Sequence, residues 1–145
     1  MAYVCTYLNF PRETAEAFEF YKSVFGTEYS APPLRMGDMP AQEGMPQVTD
    51  EDRDLVMHVA LPILGGHTLM GNDAPESMGM NLEVGNNVRI QLGTDTREDT
   101  DRLFAALGEG GNVEVPLADM FWGAYYGALT DKFGIRWSFN FNESV

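Results

Sequence analysis

The order strand, helix, strand, strand, strand runs through this sequence twice, and an internal repeat of that kind limits the fold more than any single motif. In the first copy YVCTYLNF alternates, with Val4, Thr6, Leu8 and Phe10 on one parity and Tyr3, Cys5, Tyr7 and Asn9 on the other. PRETAEAFEFYKSVFG then turns helical: Ala17, Phe18, Tyr21, Val24 and Phe25 recur at three- and four-residue steps, and Gly26 supplies a stop. LVMHVALPI and HTLMG read as two strands joined at the hairpin signal Gly65-Gly66. In the second copy NVRIQLGT alternates, and DTREDTDRLFAALGEGG is a helix with a capping box from Asp95 to Glu98 and a glycine exit. NVEVPLA, GAYYGALT and IRWSFNF supply three more strands. Leu8 and Ile90 mark equivalent places, 82 residues apart. Module one covers about 1–75 and module two about 84–145.

Residues 30–54 fit neither period. They hold four prolines, two glycines and six acidic side chains, which predicts a long flexible loop with room for one short strand within 29–36. Met36, Met39 and Met45 could fold over an apolar ligand as a lid, because methionine adapts to irregular shapes. The plainer alternative is a surface link.

The chain of 145 residues is one domain's worth. Its net charge of −13, with only nine Lys and Arg, argues against a nucleic-acid partner, since binding phosphate exchanges counterions for cationic side chains. A single cysteine, Cys5, excludes an internal disulfide and suits a reducing cytoplasm. MAYVCTYLNF lacks the basic start and long apolar core of a signal peptide, and no apolar run is long enough to span a membrane. Cytoplasmic location follows by elimination.

Helices would cover the apolar parities Leu8/Phe10 and Val88/Ile90/Leu92. The opposite parities carry Cys5, Tyr7, Asn9, Arg89, Gln91, Arg136, Ser138 and Asn140. That face could simply be solvated, as one side of an antiparallel sheet often is. Two features favour a cleft instead. Tyr7 and Tyr125 or Tyr126 are costly to lay against water, and arginines among small polar residues suit a wet hollow. Trp122 is open between core filling and a cavity wall. Trp137 shares parity with Phe139 and is assigned to packing. Asp131-Lys132-Phe133-Gly134 reads as a tight turn, with positive φ at Gly134 and Asp131 bonding the turn backbone.

YLNF…AEAFEFYKSVFG resembles the opening strand and helix of the vicinal oxygen chelate (glyoxalase/bleomycin resistance/dioxygenase) superfamily. The second half is similar to its PhnB-like branch through Gly110-Gly111, Trp122-Gly123, Gly127, and Asp131, Phe133, Gly134 and Trp137, in that order. With HVALPILGGHTLMGND the similarity covers nearly all of the chain except 30–54. The resemblance implies an α+β fold of two βαβββ modules forming curved mixed sheets around a ligand cleft, usually in a homodimer. Some relatives in the branch are labelled ubiquinone-pathway methyltransferases. No Gly-rich loop after a parallel strand supports that activity here.

Chemically active members of the superfamily usually hold a divalent metal on His, Gln or Glu from the first and last strand of each module. Those places carry Cys5, Met70, Asn87 and Ser138 in this chain, and none is His or Glu. Cys5 is a soft ligand and Met70 a poor one, while Asn87 and Ser138 are weak neutral donors. No metal and no cofactor is therefore expected, a divalent ion being the lesser alternative.

Two histidines remain. His67 follows the hairpin glycines and is expected to be exposed and structural. His58, inside VMHVAL, can enter the cleft and act as a general base, although no carboxylate orienter is evident. Asp73 is either a rim acid or a turn former before Pro75. No phosphate loop and no Gly-x-Ser-x-Gly elbow exists, and Cys5 on a strand is more often an inert thiol than a nucleophile. The expectation is a metal-independent protein that binds a small, partly apolar organic molecule. Tyr7, His58, Met70, Trp122 and Tyr125 (or Tyr126) would line the site, and Arg89 or Arg136 would neutralise an anionic group. The alternatives are an enzyme acting on a carbonyl or enolisable substrate through His58 or an atypical metal, and a dimeric scaffold with a vestigial cleft.

Overall fold

A computed structural model describes residues 1–40, 43–44 and 47–143. The chain divides into two compact units, Met1–Glu83 and Val84–Val145. Unit 1 contains β1 (Thr6–Phe10), α1 (Thr14–Phe25), β2 (Leu34–Arg35), β3 (Val56–Pro62) and β4 (Thr68–Asp73). Unit 2 repeats the order with β5 (Ile90–Leu92), α2 (Arg97–Gly108), β6 (Asn112–Asp119), β7 (Tyr125–Thr130) and β8 (Arg136–Phe141). Each unit forms one four-stranded mixed sheet, ordered β1-β4-β3-β2 and β5-β8-β7-β6. In both, the first strand runs parallel to the last and the remaining pairs are antiparallel. The repeat read from the sequence is therefore present strand for strand.

Each helix lies on its own sheet because its apolar residues recur on one side. In α1 the buried row is Thr14, Ala17, Phe18, Tyr21 and Val24, and Gly26 ends the helix with φ of 66°. In α2 it is Thr100, Leu103 and Leu107, with Phe104 edge-on to Phe139 at 5.3 Å. Burying one such aromatic side chain contributes about 1.5–3 kcal/mol. The alternating end strand behaves as its pattern dictates: Trp137, Phe139 and Phe141 are all buried.

Three local expectations need correction. The cap of α2 is Thr96, whose hydroxyl accepts from the Asp99 backbone N–H at 3.0 Å, one residue beyond the Asp95/Glu98 box. β5 is only three residues long, and Val88 is 73% exposed instead of lying under α2. Within 30–54 the short strand is β2, and 3₁₀ turns at Met36–Asp38 and Asp50–Asp52 follow. Asp52 is buried and accepts from Arg12 at 2.8 Å and from the Ser77 hydroxyl. Met36 is 3% exposed, so it packs inside unit 1 and is not available as a lid; Met45 lies outside the described residues.

Close approach explains two glycines. A Cβ on Gly111 would meet the Thr130 carbonyl oxygen at 2.4 Å, so the Gly110-Gly111 pair lets β6 start directly against the end of β7. A Cβ on Gly71 would stand 2.8 Å from the Phe18 ring and 2.9 Å from the Leu8 carbonyl oxygen. Its absence sets how deeply α1 settles on β4.

Candidate functional site

Alternation sends odd and even residues of each strand to opposite faces. In unit 1 the register aligns Tyr7 with Met70, Asn9 with Asn72, and Ala60 with Met70. The face away from α1 therefore collects Cys5, Tyr7, Asn9, His58, Met70 and Asn72, and their side chains meet in three pairs. The Tyr7 hydroxyl lies 3.2 Å from His58 Nδ1, the two rings stacked at 5.8 Å. Asn9 Nδ2 donates to Asn72 Oδ1 at 2.6 Å. The Cys5 thiol is 3.7 Å from Met70 Sδ. Tyr7 remains 45% exposed, so the expected penalty for wetting its ring is met by an edge on water and a hydroxyl on histidine. Its phenol pKa is raised, first by burial and then by Cys5.

Unit 2 presents the equivalent face through Arg89, Gln91, Tyr126, Thr130, Arg136, Ser138 and Asn140, as the β5–β8 and β7–β8 registers require. Arg89 reaches both oxygens of Glu114, at 3.3 and 3.1 Å, and Arg136 Nη2 reaches Oε2 at 2.9 Å. Thr130 donates to the same carboxylate at 2.7 Å. The Arg89 hydrogen bonds, then that from Thr130, hold the Glu114 pKa below the usual carboxylate value. Two cations share one anion, and the buried Arg136 Nε has no partner among the described residues. Glu114 is the polar-face residue that sequence reasoning missed. It sits in NVEVPLA, and nothing local signals that two arginines from other strands converge on it.

Several sequence-derived candidates fall elsewhere. Tyr125 points to the α2 side: its hydroxyl donates to Asp101 and its ring carries the Arg97 guanidinium at 4.0 Å. Tyr126, one residue on, takes the polar face. Trp122 fills no core; it is 55% exposed in the β6–β7 turn, edge-on to Phe121 at 5.0 Å and Tyr126 at 6.1 Å. His67 is half-buried and hydrogen-bonded to Thr6 Oγ1 at 2.9 Å. Asp73 is neither rim acid nor turn former. It is 2% exposed and accepts from the Thr14 N–H and hydroxyl at 3.0 and 2.7 Å and from the Val56 N–H at 2.8 Å. Asp131 serves its turn as expected, accepting from the Phe133 and Ile135 N–H groups and from the Trp137 indole at 2.9 Å.

A divalent ion of the kind used on this fold wants imidazole and carboxylate donors. Cys5 and Met70 form a thiol–thioether pair, and the Ser138 hydroxyl donates to Gln91 Oε1 at 3.2 Å. Asn87 stands outside any strand. Among the described residues no three His, Cys, Asp or Glu side chains gather as a metal-binding group. The donor set does not fit a hard or borderline divalent metal.

Two βαβββ units in one chain, each with a helix on one sheet face and a polar row on the other, define a glyoxalase-like α+β protein. The chain belongs to the Glyoxalase/Bleomycin resistance protein/Dioxygenase superfamily, whose family model matches residues 7–139. The crystal structure of protein PA1353 from Pseudomonas aeruginosa is 33% identical, with 98% of each chain covered and a TM-score of 0.83. The PhnB protein of Bacillus cereus is 24% identical, with 97% of this chain and 99% of that one covered and a TM-score of 0.74, a likeness of fold. Protein YjdN of Escherichia coli K12 is 24% identical over 139 residues, 92% of this chain and 91% of that protein. No helix among the described residues is long and apolar enough to cross a membrane.

Proposed function

We propose that this PhnB-like protein binds a small organic ligand on the polar face of unit 1, without the divalent metal that serves catalysis elsewhere in the superfamily. The observation that carries the proposal is the Tyr7–His58 pair, exposed beside the Asn9–Asn72 and Cys5–Met70 pairs. A phenol that keeps its proton donates to His58 Nδ1. The imidazole then carries its N–H at Nε2, a donor suited to a ligand carbonyl or carboxylate oxygen. In that tautomer the basic lone pair is already occupied, which favours recognition over proton abstraction. Met70 and the Tyr7 ring supply apolar contact, and the Asn pair supplies one more donor and acceptor. On unit 2, the Arg89–Glu114–Arg136 group keeps one excess positive charge, which suits an anion held on that unit's own polar face. The protein functions as a cytoplasmic homodimer, with neither nucleic acid nor membrane as partner.

The competing reading is an enzyme with His58 as base, supported by the same hydrogen bond in its opposite sense, Nδ1–H to the Tyr7 oxygen. A thermal-shift screen of small carbonyl compounds, followed by calorimetry on Tyr7→Phe and His58→Gln, separates the two. Binding that survives in His58→Gln, whose amide still donates, and weakens about tenfold in His58→Ala supports recognition. Turnover abolished by His58→Gln with affinity retained establishes the enzyme. Stoichiometric metal in the purified protein overturns the metal-free proposal, and sedimentation velocity tests the dimer.

A further inference from the structure

Val59 follows His58 on β3 and so points to the other face of the same sheet, where unit 1 has a hollow. It lies between α1, the 29–35 segment and β3, with a volume of about 250 Å³. Its floor is apolar: Phe18, Val56 and Val59 are each at most 2% exposed. Its mouth carries Glu19, Tyr29 and Arg35, all at least partly exposed. The three polar groups are not equally occupied. The Tyr29 hydroxyl donates to Glu19, and burial, then this hydrogen bond, raises the phenol pKa. Arg35 donates from Nη1 to the Asp54 carbonyl oxygen at 2.7 Å, and no carboxylate among the described residues pairs with it. In a chain of net charge −13, Arg12, Arg89, Arg97, Arg102 and Arg136 all pair with acids, whereas Arg35 and Arg53 donate to backbone carbonyl oxygens; of those two, Arg35 is the one that lines this hollow.

We propose that this hollow is a second binding site, for a small monocarboxylate with an apolar body. The body would rest on Phe18, Val56 and Val59 and the carboxylate would pair with Arg35, which has guanidinium donors to spare. Glu19, already served by Tyr29, sets the charge limit: its carboxylate at the same mouth disfavours a dianion. The volume lies just under the usual range for drug-sized ligands, so the occupant is a compact acid. This site stands apart from the ligand proposed for the polar face, because the sheet itself separates them.

Calorimetry with 3-phenylpropanoate on the full chain tests it. Millimolar or tighter binding is expected, weakened about tenfold or more by Arg35→Gln and for the neutral 3-phenylpropanamide. It should also be blocked by Ala15→Leu, which fills the hollow from α1, and left unchanged in His58→Ala. Phenylsuccinate, the dianion, should bind more weakly. Circular dichroism on Arg35→Gln guards against misfolding, with Ala15→Leu as the independent variant. No heat at millimolar acid, equal affinity for acid and amide, or loss of binding in His58→Ala overturns the proposal.

Discussion

Asp73 ends β4, yet its carboxylate holds the first turn of α1 and the first residue of β3. Glu13, at the N-cap position, makes no side-chain cap of its own, so a residue about sixty positions away supplies it. Asp73→Ala leaves buried N–H and hydroxyl donors unpaired and should lower stability by about 2–4 kcal/mol in urea denaturation. Asp73→Asn keeps an acceptor for Thr14 and should lose roughly half of that. Glu114 gives a pH prediction. Its pKa is depressed in the folded protein, so its contribution is present above the unfolded carboxylate value of about 4.3 and is lost as pH falls through the lower folded value. Asp52, lowered first by Ser77 and then by Arg12, acts in the same direction. Midpoints measured from pH 7 to pH 3 should therefore fall in acid, and less steeply in Glu114→Gln than in the parent. A parallel fall in both proteins would remove Glu114 from the account. At this scale strand parity put Tyr7 and Asn9 on one face and allowed His58 to join them, while Met70 was reached only through the family resemblance. It could not choose between Tyr125 and Tyr126, because that choice depends on which residue of GAYYGALT begins the pairing with β8. Nor could it find Glu114, or the role of Asp73, because the partners of both are distant in the chain.

Helices and strands follow their hydrophobic period closely, and the exceptions have steric or hydrogen-bonding causes. NVRIQLGT alternates throughout, but only Ile90–Leu92 finds a partner in β8; the residues before it pair with no strand and Val88 faces outward. The 30–54 stretch looked like a free loop because proline and charge break its pattern. The side chains that pin it, Arg12 on Asp52 and Arg35 on the Asp54 carbonyl, come from residues no local rule connects. The seat of α1 is more exacting. Gly71→Ala drives a methyl group into the Phe18 ring and against the Leu8 carbonyl, and should cost about 1–3 kcal/mol. Phe18→Leu in the same chain should recover only part of that cost, since the backbone oxygen cannot withdraw. Full recovery would mean the ring alone is the obstacle.

Across the whole molecule, the repeat was legible because each unit carries its own strand–helix–strand–strand–strand order and its own apolar helix row. The family likeness agrees with it from residue 7 to residue 139. Ligand identity was not legible, because recognition depends on which polar side chains meet, and those meetings are set by register. Residues 79–89 between the last 3₁₀ turn of unit 1 and β5 carry no regular structure and are almost all exposed. A glutamate-specific protease should cut the native chain at Glu83 well before Glu16 or Glu98, which sit inside helices, as intact-mass spectrometry over a time course would record. Earlier cleavage within either helix would contradict the division into these two units.

The parallel pairing of β1 with β4 has a consequence for how the chain is made. Thr6 pairs with Leu69, so β1 has no neighbour in its sheet until β4 has left the ribosome. For that interval Thr6, Leu8 and Phe10 travel as an unpaired edge, the kind of segment on which chaperones act and from which nascent chains aggregate. The second unit meets the same delay on a shorter scale, with Ile90 waiting for Trp137.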